Sequence, residues 1–560
     1  MADLTSRADS WSEPLKLVVC ISAKVAVLNA LAGRFTHHVT LSDVDPASER
    51  DKGQDAMSRS QIQSELDLEQ QRVARMRDET SENATRWLQV LTKHLGIDMR
   101  TLPDDPGLDT NMREVLGLED DKRDQVAFEL VLVSLALVVG DAQEIQEKAK
   151  PKRDKEETPP LKYTALSRSL IMRTCAVLGL PPLAVVEAEK VLAQHLYFEM
   201  QEKEKQGEKS STAGGGKWNE ASQQVRQETA KKTNTLKWAA TGAGFVLGGV
   251  AIGLTGGLAA PAIAGVLGTV GIASFSGAGG AIVLGTLLGL GGVVASGFLI
   301  DESDSVEPWR PTFRDNKNDV FALKADSQAF LSAGRALDNY VRNYVIKMGG
   351  IELVKKTALA AAYAAVALPL TIWNTTTLML DSDFTRCRDK AKKAGVLLAE
   401  ILEKQVQGKR PAVLIGYGPG ATIIFHCLLT LHERCLSDLV YSATLISLPE
   451  SPSRLAWAKA RSVVSHELVN TYSTDDYVAA IAARLFTLSP RIAALTPVNI
   501  EGVRDVDTSD LVHGHLELRD KVTEILNRVA EGDTRERRME EAHELISRVN
   551  MNREKSQGLD

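Results

Sequence analysis

The chain has 560 residues, too many for one hydrophobic core, so two to four folded units are expected. A net charge of −7 with no basic stripe interleaved with aromatics excludes a nucleic-acid binder, which needs clustered Lys and Arg against phosphate. The five cysteines (Cys20, Cys175, Cys387, Cys427 and Cys435) show no CxxC spacing, which argues against a metal site or a disulfide framework and for a reducing compartment.

The first 83 residues read as an N-terminal region that is partly disordered. An apolar stretch near Leu15–Leu31, interrupted by Lys16 and Lys24, lacks the clean core of a secretory signal and reads as an early strand or helix. Residues 41–84 are rich in Asp, Glu, Ser, Gln and Arg and read as a solvated connector or exposed helix. From 84 to 200 apolar residues recur at helical spacing, as in Val126–Val139, Leu170–Leu180 and Ala184–Tyr197, and predict an all-helical bundle. Residues 201–236 form a charged arm or linker with short coiled-coil propensity.

The 63 positions from Trp238 to Ile300 carry no charged residue and hold 18 of the 41 glycines. As helix this is about 95 Å, enough for two or three bilayer crossings. Small-xxx-small spacing recurs, as in Gly244-xxx-Gly248 and Gly285-xxx-Gly289, and allows close helix approach where water cannot drive association. Residues 237–292 are therefore expected to be a glycine-rich membrane hairpin.

After Asp301, short apolar runs alternate with amphipathic helices, the rhythm of an α/β fold with a parallel sheet. Strands are predicted at Val293–Ser296, Val320–Leu323, Ala412–Ile415, Leu439–Leu448, Glu467–Tyr472 and near Ala493–Val498. Helices are predicted at about 327–346, 384–406, 420–434, 452–464, 476–486 and 515–530. The domain spans 293–530, and 531–560 is a charged tail.

The sharpest local signal is the run from Ala412 to Phe425 (AVLIGYGPGATIIF), where a strand enters a glycine-dense turn and passes straight into a helix. This is the layout of a nucleophile elbow, Gly-x-Ser-x-Gly, with Gly416, Tyr417 and Gly420 in the elbow positions. Gly418 stands where the serine would be. The next position, which normally donates a backbone N–H to an oxyanion, is Pro419, which has none. Neither Tyr417 nor Thr422 is placed to substitute as nucleophile. A dinucleotide-binding turn is the competing reading, with Glu450 as a ribose-binding candidate. A P-loop is excluded for want of Gly-Lys-Ser/Thr, and no metal or cofactor is expected.

The elbow, the glycine-rich stretch and a series of ordered motifs resemble the DUF726 family over roughly residues 160–530. The motifs are Tyr163-Thr-Ala-Leu-Ser-Arg-Ser-Leu-Ile, Lys237-Trp238 leading to Pro261, Ser296-Gly-Phe-Leu299, Pro308-Trp-Arg-Pro311, Asp319-Val-Phe-Ala-Leu323, Arg461-Ser-Val-Val-Ser465 and Val469-Asn-Thr-Tyr-Ser473. The resemblance implies a membrane-associated protein with an α/β-hydrolase-like domain and a triad in the order Ser, Asp/Glu, His. It places the acid at Asp476, with Asp475 as neighbour, and the histidine at His515, with His513 as the weaker candidate. It makes Phe298 the oxyanion donor, and it implies a serine at 418 and a leucine at 419, from which this chain departs. The expected function is a catalytically degenerate module on an intracellular membrane, binding membrane lipids or trafficking and other membrane proteins. The alternatives are an active membrane-surface lipase or esterase, and a structural scaffold in membrane trafficking.

Overall fold

The computed structural model describes residues 6–35, 59–103, 125–135, 163–205, 245–247, 250–256, 291–313, 320–347, 377–405, 410–451, 453–480 and 492–531. A helical N-terminal region precedes an α/β domain. The helices are α1 (Glu13–Phe35), α2 (Arg59–Leu95), α3 (Gln125–Leu135), α4 (Ala165–Val177) and α5 (Pro182–Lys205). Among the described residues, α1 alone is long and apolar enough to cross a membrane. Its residues Val19, Cys20, Ala23, Val25 and Ala26 are nevertheless fully buried, and it packs on α2 and α4 as the central helix of the bundle.

The bundle therefore begins well before residue 84. The sequence reading offered the first part of α2 only as a connector or an exposed helix, because its buried stripe (Leu66, Met76, Ala84, Trp87, Leu88, Leu91, Leu95) is diluted by charged residues on its other faces. A Thr164–Ser167 capping box starts α4, satisfying backbone N–H groups that a helix start leaves open.

The sheet runs β1 (Phe245–Leu247), β2 (Val250–Gly256), β3 (Gly291–Ala295), β4 (Val320–Ala325), β5 (Ala412–Tyr417), β6 (Val440–Ile446), β7 (Val464–Tyr472) and β8 (Val503–Asp507). Its order is β1-β2-β4-β3-β5-β6-β7-β8. The six strands from β4 to β8 in this order are all parallel, whereas β1 and β2 pair antiparallel at one edge. Helices α6 (Ser327–Lys347), α7 (Thr377–Glu403), α8 (Pro419–Glu433), α9 (Arg454–Ser462) and α10 (Leu518–Glu531) cover the domain. Strands buried on both faces read as continuous apolar runs, which is why β3 to β7 were legible.

Two expectations need correction. The sixth parallel strand is Val503–Asp507, not Ala493–Val498. Ile492, Ala493, Ala494 and Leu495 form a turn whose side chains fill the core, while β8 is short and charged, a poor apolar signal. Within the stretch read as a membrane hairpin, residues 245–247 and 250–256 are edge strands rather than helix. Its remaining residues up to 290, the arm at 206–236 and the tail beyond 531 lie outside the described residues.

The bundle grips the amino-terminal ends of the strands. Arg34 donates from Nε to the Ser462 carbonyl (2.6 Å) and bonds the Ser437 carbonyl; Leu166 N–H donates to Asp438 (2.7 Å); Ser169 donates to the Ser465 carbonyl (2.9 Å). Glu69 on α2 bonds His432 at the end of α8, and Lys459 lies 3.5 Å away. Burial pushes the Glu69 carboxyl up, but the His432 hydrogen bond, with Lys459 and Arg72, overrides it and holds the group at about 2. A depressed carboxyl contributes stability that is complete above its unfolded value, near 4.5, and is lost as pH falls through about 2. Acid unfolding of the wild-type chain should therefore steepen between those values, and Glu69→Gln should flatten that part of a stability–pH profile measured by urea titration.

Candidate functional site

In doubly wound sheets ligands meet the carboxyl ends of the strands where the chain reverses its winding. Here β3 is followed by β4 on one side, and the next strand, β5, lies on the other, so the reversal falls between β3 and β5. Both predicted site segments, Ser296–Phe298 and Gly416–Gly420, leave these two strands at that point.

The elbow is sharp. Gly418 has φ 53° and ψ −127°, outside the regions open to ordinary L-residues, and α8 starts at the next residue. Gly420 is needed because a Cβ there would lie 2.1 Å from the Ala295 carbonyl oxygen, and one on Gly416 would lie 2.6 Å from the Gly420 carbonyl oxygen. Glycine thus lets the turn close tightly and α8 press against the end of β3.

Behind Gly418 stands His515. A Cβ on Gly418 would be 2.6 Å from His515 Nε2, so the imidazole edge rests against the glycine itself. His515 Nδ1 lies 3.1 Å from Asp476 Oδ2, and both side chains are buried, at 3% and 0% exposure. The other Asp476 oxygen accepts the Ala479 N–H at 2.8 Å, which fixes the carboxylate. With Nδ1 facing a carboxylate, Nε2 is the atom turned to the elbow. It is buried and has no hydrogen-bond partner among the described residues. The geometry separates the alternatives: Asp475 and His513 lie at the surface, 4.0 Å apart and about half exposed.

Phe298 packs edge-on against His515, with ring centroids 5.7 Å apart, and equally against Phe384. It thus lines the site with its ring. Tyr417 faces away, its ring 5.5 Å from Trp309. Trp309 in turn donates to Ser296 Oγ at 2.9 Å, tying the loop after β3 to the short turns that follow it. Glu450 sits beside His426 of α8, 3.6 Å away.

A small cleft of about 20 Å³, room for about one water, opens between Phe298, Phe384, Cys387, Arg388, Pro419, Thr422 and Pro449. The α7 contributors Phe384, Cys387 and Arg388 were not singled out from the sequence. They lie on an ordinary amphipathic helix, and only the fold brings that helix to the elbow. Among the described residues no group of His, Cys, Asp and Glu could hold a metal ion, and all five cysteines are unbridged.

The arrangement is an α/β domain with a strand-to-helix elbow at the switch point of a parallel sheet and a buried Asp–His pair directed at it. Residues 292–531 match the family described as "Protein of unknown function (DUF726)". The chain is 34% identical over 226 residues to "Transmembrane and coiled-coil domain-containing protein STS1" of Oryza sativa subsp. japonica, covering 39% of this chain and 33% of that protein. It is 31% identical over 228 residues to an uncharacterized membrane protein of Caenorhabditis elegans, covering 40% and 36%. It is 26% identical over 234 residues to "Probable lipase MIL1" of Saccharomyces cerevisiae, covering 41% and 22%. The matched region thus spans about a third or less of these relatives. No solved structure matches.

Proposed function

We propose that this chain is a membrane-associated protein of the α/β-hydrolase type whose serine route has been lost, and that it works as a binding module for lipid or for membrane proteins. The observation that carries the reading is the elbow itself: a retained Asp476–His515 pair directed at a residue with no hydroxyl. Covalent acyl transfer needs an attacking oxygen, and Gly418 supplies none. Pro419 removes the backbone donor that follows the nucleophile, a loss that costs about 100- to 1,000-fold where it has been measured alone. The membrane association rests on the charge-free stretch near 237–292 and on relatives named as membrane proteins.

A second reading, an active lipase or esterase at the membrane surface, is favoured by the intact acid–base pair and by the name of the yeast relative. In that case His515 would activate water directly, as a general base. Turnover of p-nitrophenyl butyrate and methyl oleate separates the two. The expected result is no hydrolysis above that of a His515→Ala control, with the full chain remaining in the membrane pellet after carbonate extraction. Turnover that depends on His515 would establish the second reading, and release into the supernatant would refute a membrane-inserted segment.

A further inference from the structure

Away from the elbow, where the bundle meets the amino ends of the strands, three cations line a second small cleft. They are Arg34 of α1, and Lys459 and Arg461 of α9. Glu69 and Ser462 are the other polar members of its wall, and the rest is apolar. The void is about 20 Å³, room for about one water. Arg34 and Arg461 are 4% and 3% exposed. Their hydrogen bonds go to neutral backbone carbonyls, Arg34 to Ser462 and Ser437, and Arg461 to Val464 and His466. Arg461 Nε is buried and has no partner among the described residues.

The charges around this cleft do not cancel. Its carboxylate, Glu69, is already met by Lys459 at 3.5 Å, by Arg72 at 2.8 Å and by a hydrogen bond to His432. Asp438 acts on Arg34 and Glu467 on Arg461, but Arg173 opposes both, and Glu467 is paired with Arg504 at 2.7 Å. The carbonyl ends of α1 and α9 contribute about half a negative charge each, so the two buried guanidiniums keep an excess of roughly one positive charge. Burial, and then repulsion from Arg173, pushes Arg34 down to about 10 and Arg461 to about 9. A buried charge without a counter-ion is strongly unfavourable, so a species that brings one is favoured. A monovalent anion close to water in size answers charge and space together. Chloride is such an ion, and it accepts from N–H donors without a planar or tetrahedral pocket. A carboxylate or phosphate group needs more volume than the cleft holds.

We propose that this cleft is a chloride site, held by Arg34, Lys459 and Arg461, that ties the helical bundle to the amino ends of the strands. The site is independent of the elbow and of what the elbow does. The test is urea unfolding of the full chain in sodium chloride and in sodium gluconate at equal ionic strength, gluconate being too large for the cleft. The wild-type midpoint should rise from gluconate to chloride, and Arg461→Met should lose that rise. An Arg461 that served only to bind carbonyls would shift the midpoint equally in both salts, which would overturn the proposal. Chlorine NMR gives the direct readout. The wild-type chain should broaden the chloride line, and bromide should reverse the broadening. Arg461→Met should weaken chloride binding about tenfold, the loss of one hydrogen bond from a charged donor. Equal wild-type midpoints in the two salts, or undiminished broadening by a folded Arg461→Met chain, would contradict the site. If Arg461→Met loses its unfolding transition, Lys459→Met decides, because Lys459 is 27% exposed and its removal leaves Glu69 bonded to His432 and Arg72. Broadening by Lys459→Met equal to that of the wild-type chain would then overturn the proposal, and reduced broadening would support it.

Discussion

Replacing Gly418 by Ser together with Pro419 by Leu should give a chain that a fluorophosphonate labels at position 418. The elbow already holds φ 53° and ψ −127° at this residue, so the new side chain would project from the tip of the turn. Holding a non-glycine residue there costs about 1–3 kcal/mol, which the packing of β5, α8 and the end of β3 must sustain. His515 also has to retreat, because its Nε2 lies 2.6 Å from the position of the added Cβ. A side chain can give way here where backbone could not, and the retreat brings Nε2 to hydrogen-bonding distance of the hydroxyl. Gly418→Ser alone keeps Pro419 and lacks the N–H, so labelling about 100- to 1,000-fold slower than in the double variant is expected. Adding Asp476→Asn to the double variant should slow labelling by about 10⁴-fold, the effect of misorienting a triad histidine. A folded double variant that stays unlabelled would show that Asp476 and His515 are not poised for attack.

The largest stability effect is expected far from the site, from Glu189→Ala. Glu189 on α5 accepts from Arg168 Nε at 2.7 Å and from Nη2 at 3.3 Å, and from the Tyr163 hydroxyl at 2.8 Å. Arg168 is 3% exposed and Glu189 4%, and the guanidinium lies 4.6 Å above the Tyr441 ring on β6. Removing the carboxylate strands a buried cation at the seam between the bundle and the sheet. Losing one partner of such a pair costs about 3–5 kcal/mol. Urea unfolding should show a midpoint lowered accordingly, and the bundle should become sensitive to protease before the α/β domain does. Exchanging both partners for apolar residues, as in Arg168→Met with Glu189→Leu, should recover most of the loss, because no charge is then left buried alone. An unchanged midpoint in Glu189→Ala would mean that the seam does not couple the two units.

The elbow and the Arg168–Glu189 seam lie at opposite ends of the same parallel sheet, one at the carboxyl ends of its strands and the other at the amino ends. The site lies at the carboxyl ends of β3 and β5, whereas the bundle holds the amino ends of β6 and β7 through Arg34, Leu166 and Ser169. The helical region described here therefore supports the sheet from below and does not cover the elbow.

Much of this was legible because the signals are local. Strands β3 to β7 announce themselves as apolar runs, and the elbow as glycines at alternate positions between a strand and a helix. What escaped depends on contacts that no local pattern carries. The turn at Ile492–Leu495 is as apolar as a strand because it fills the core, and β8 is mostly charged because it closes an edge. Helix α1 was only one option for its stretch, since a buried central helix has apolar residues on several faces. Nothing in the sequence tells Asp476 from Asp475 or His515 from His513 by chemistry. Burial does: one pair is enclosed at the elbow, and the other stands in solvent. The α7 side of the cleft is assembled entirely by tertiary packing.

On the proposed reading, the strand-to-helix turn keeps the Asp476–His515 pair without an attacking oxygen beside it. Intact-mass analysis of the wild-type full chain after incubation with a fluorophosphonate tests it most directly. The expected spectrum shows no adduct, at a reagent excess that fully labels a serine esterase in the same tube. A stoichiometric adduct on any hydroxyl within residues 292–531, abolished by His515→Ala, would contradict it.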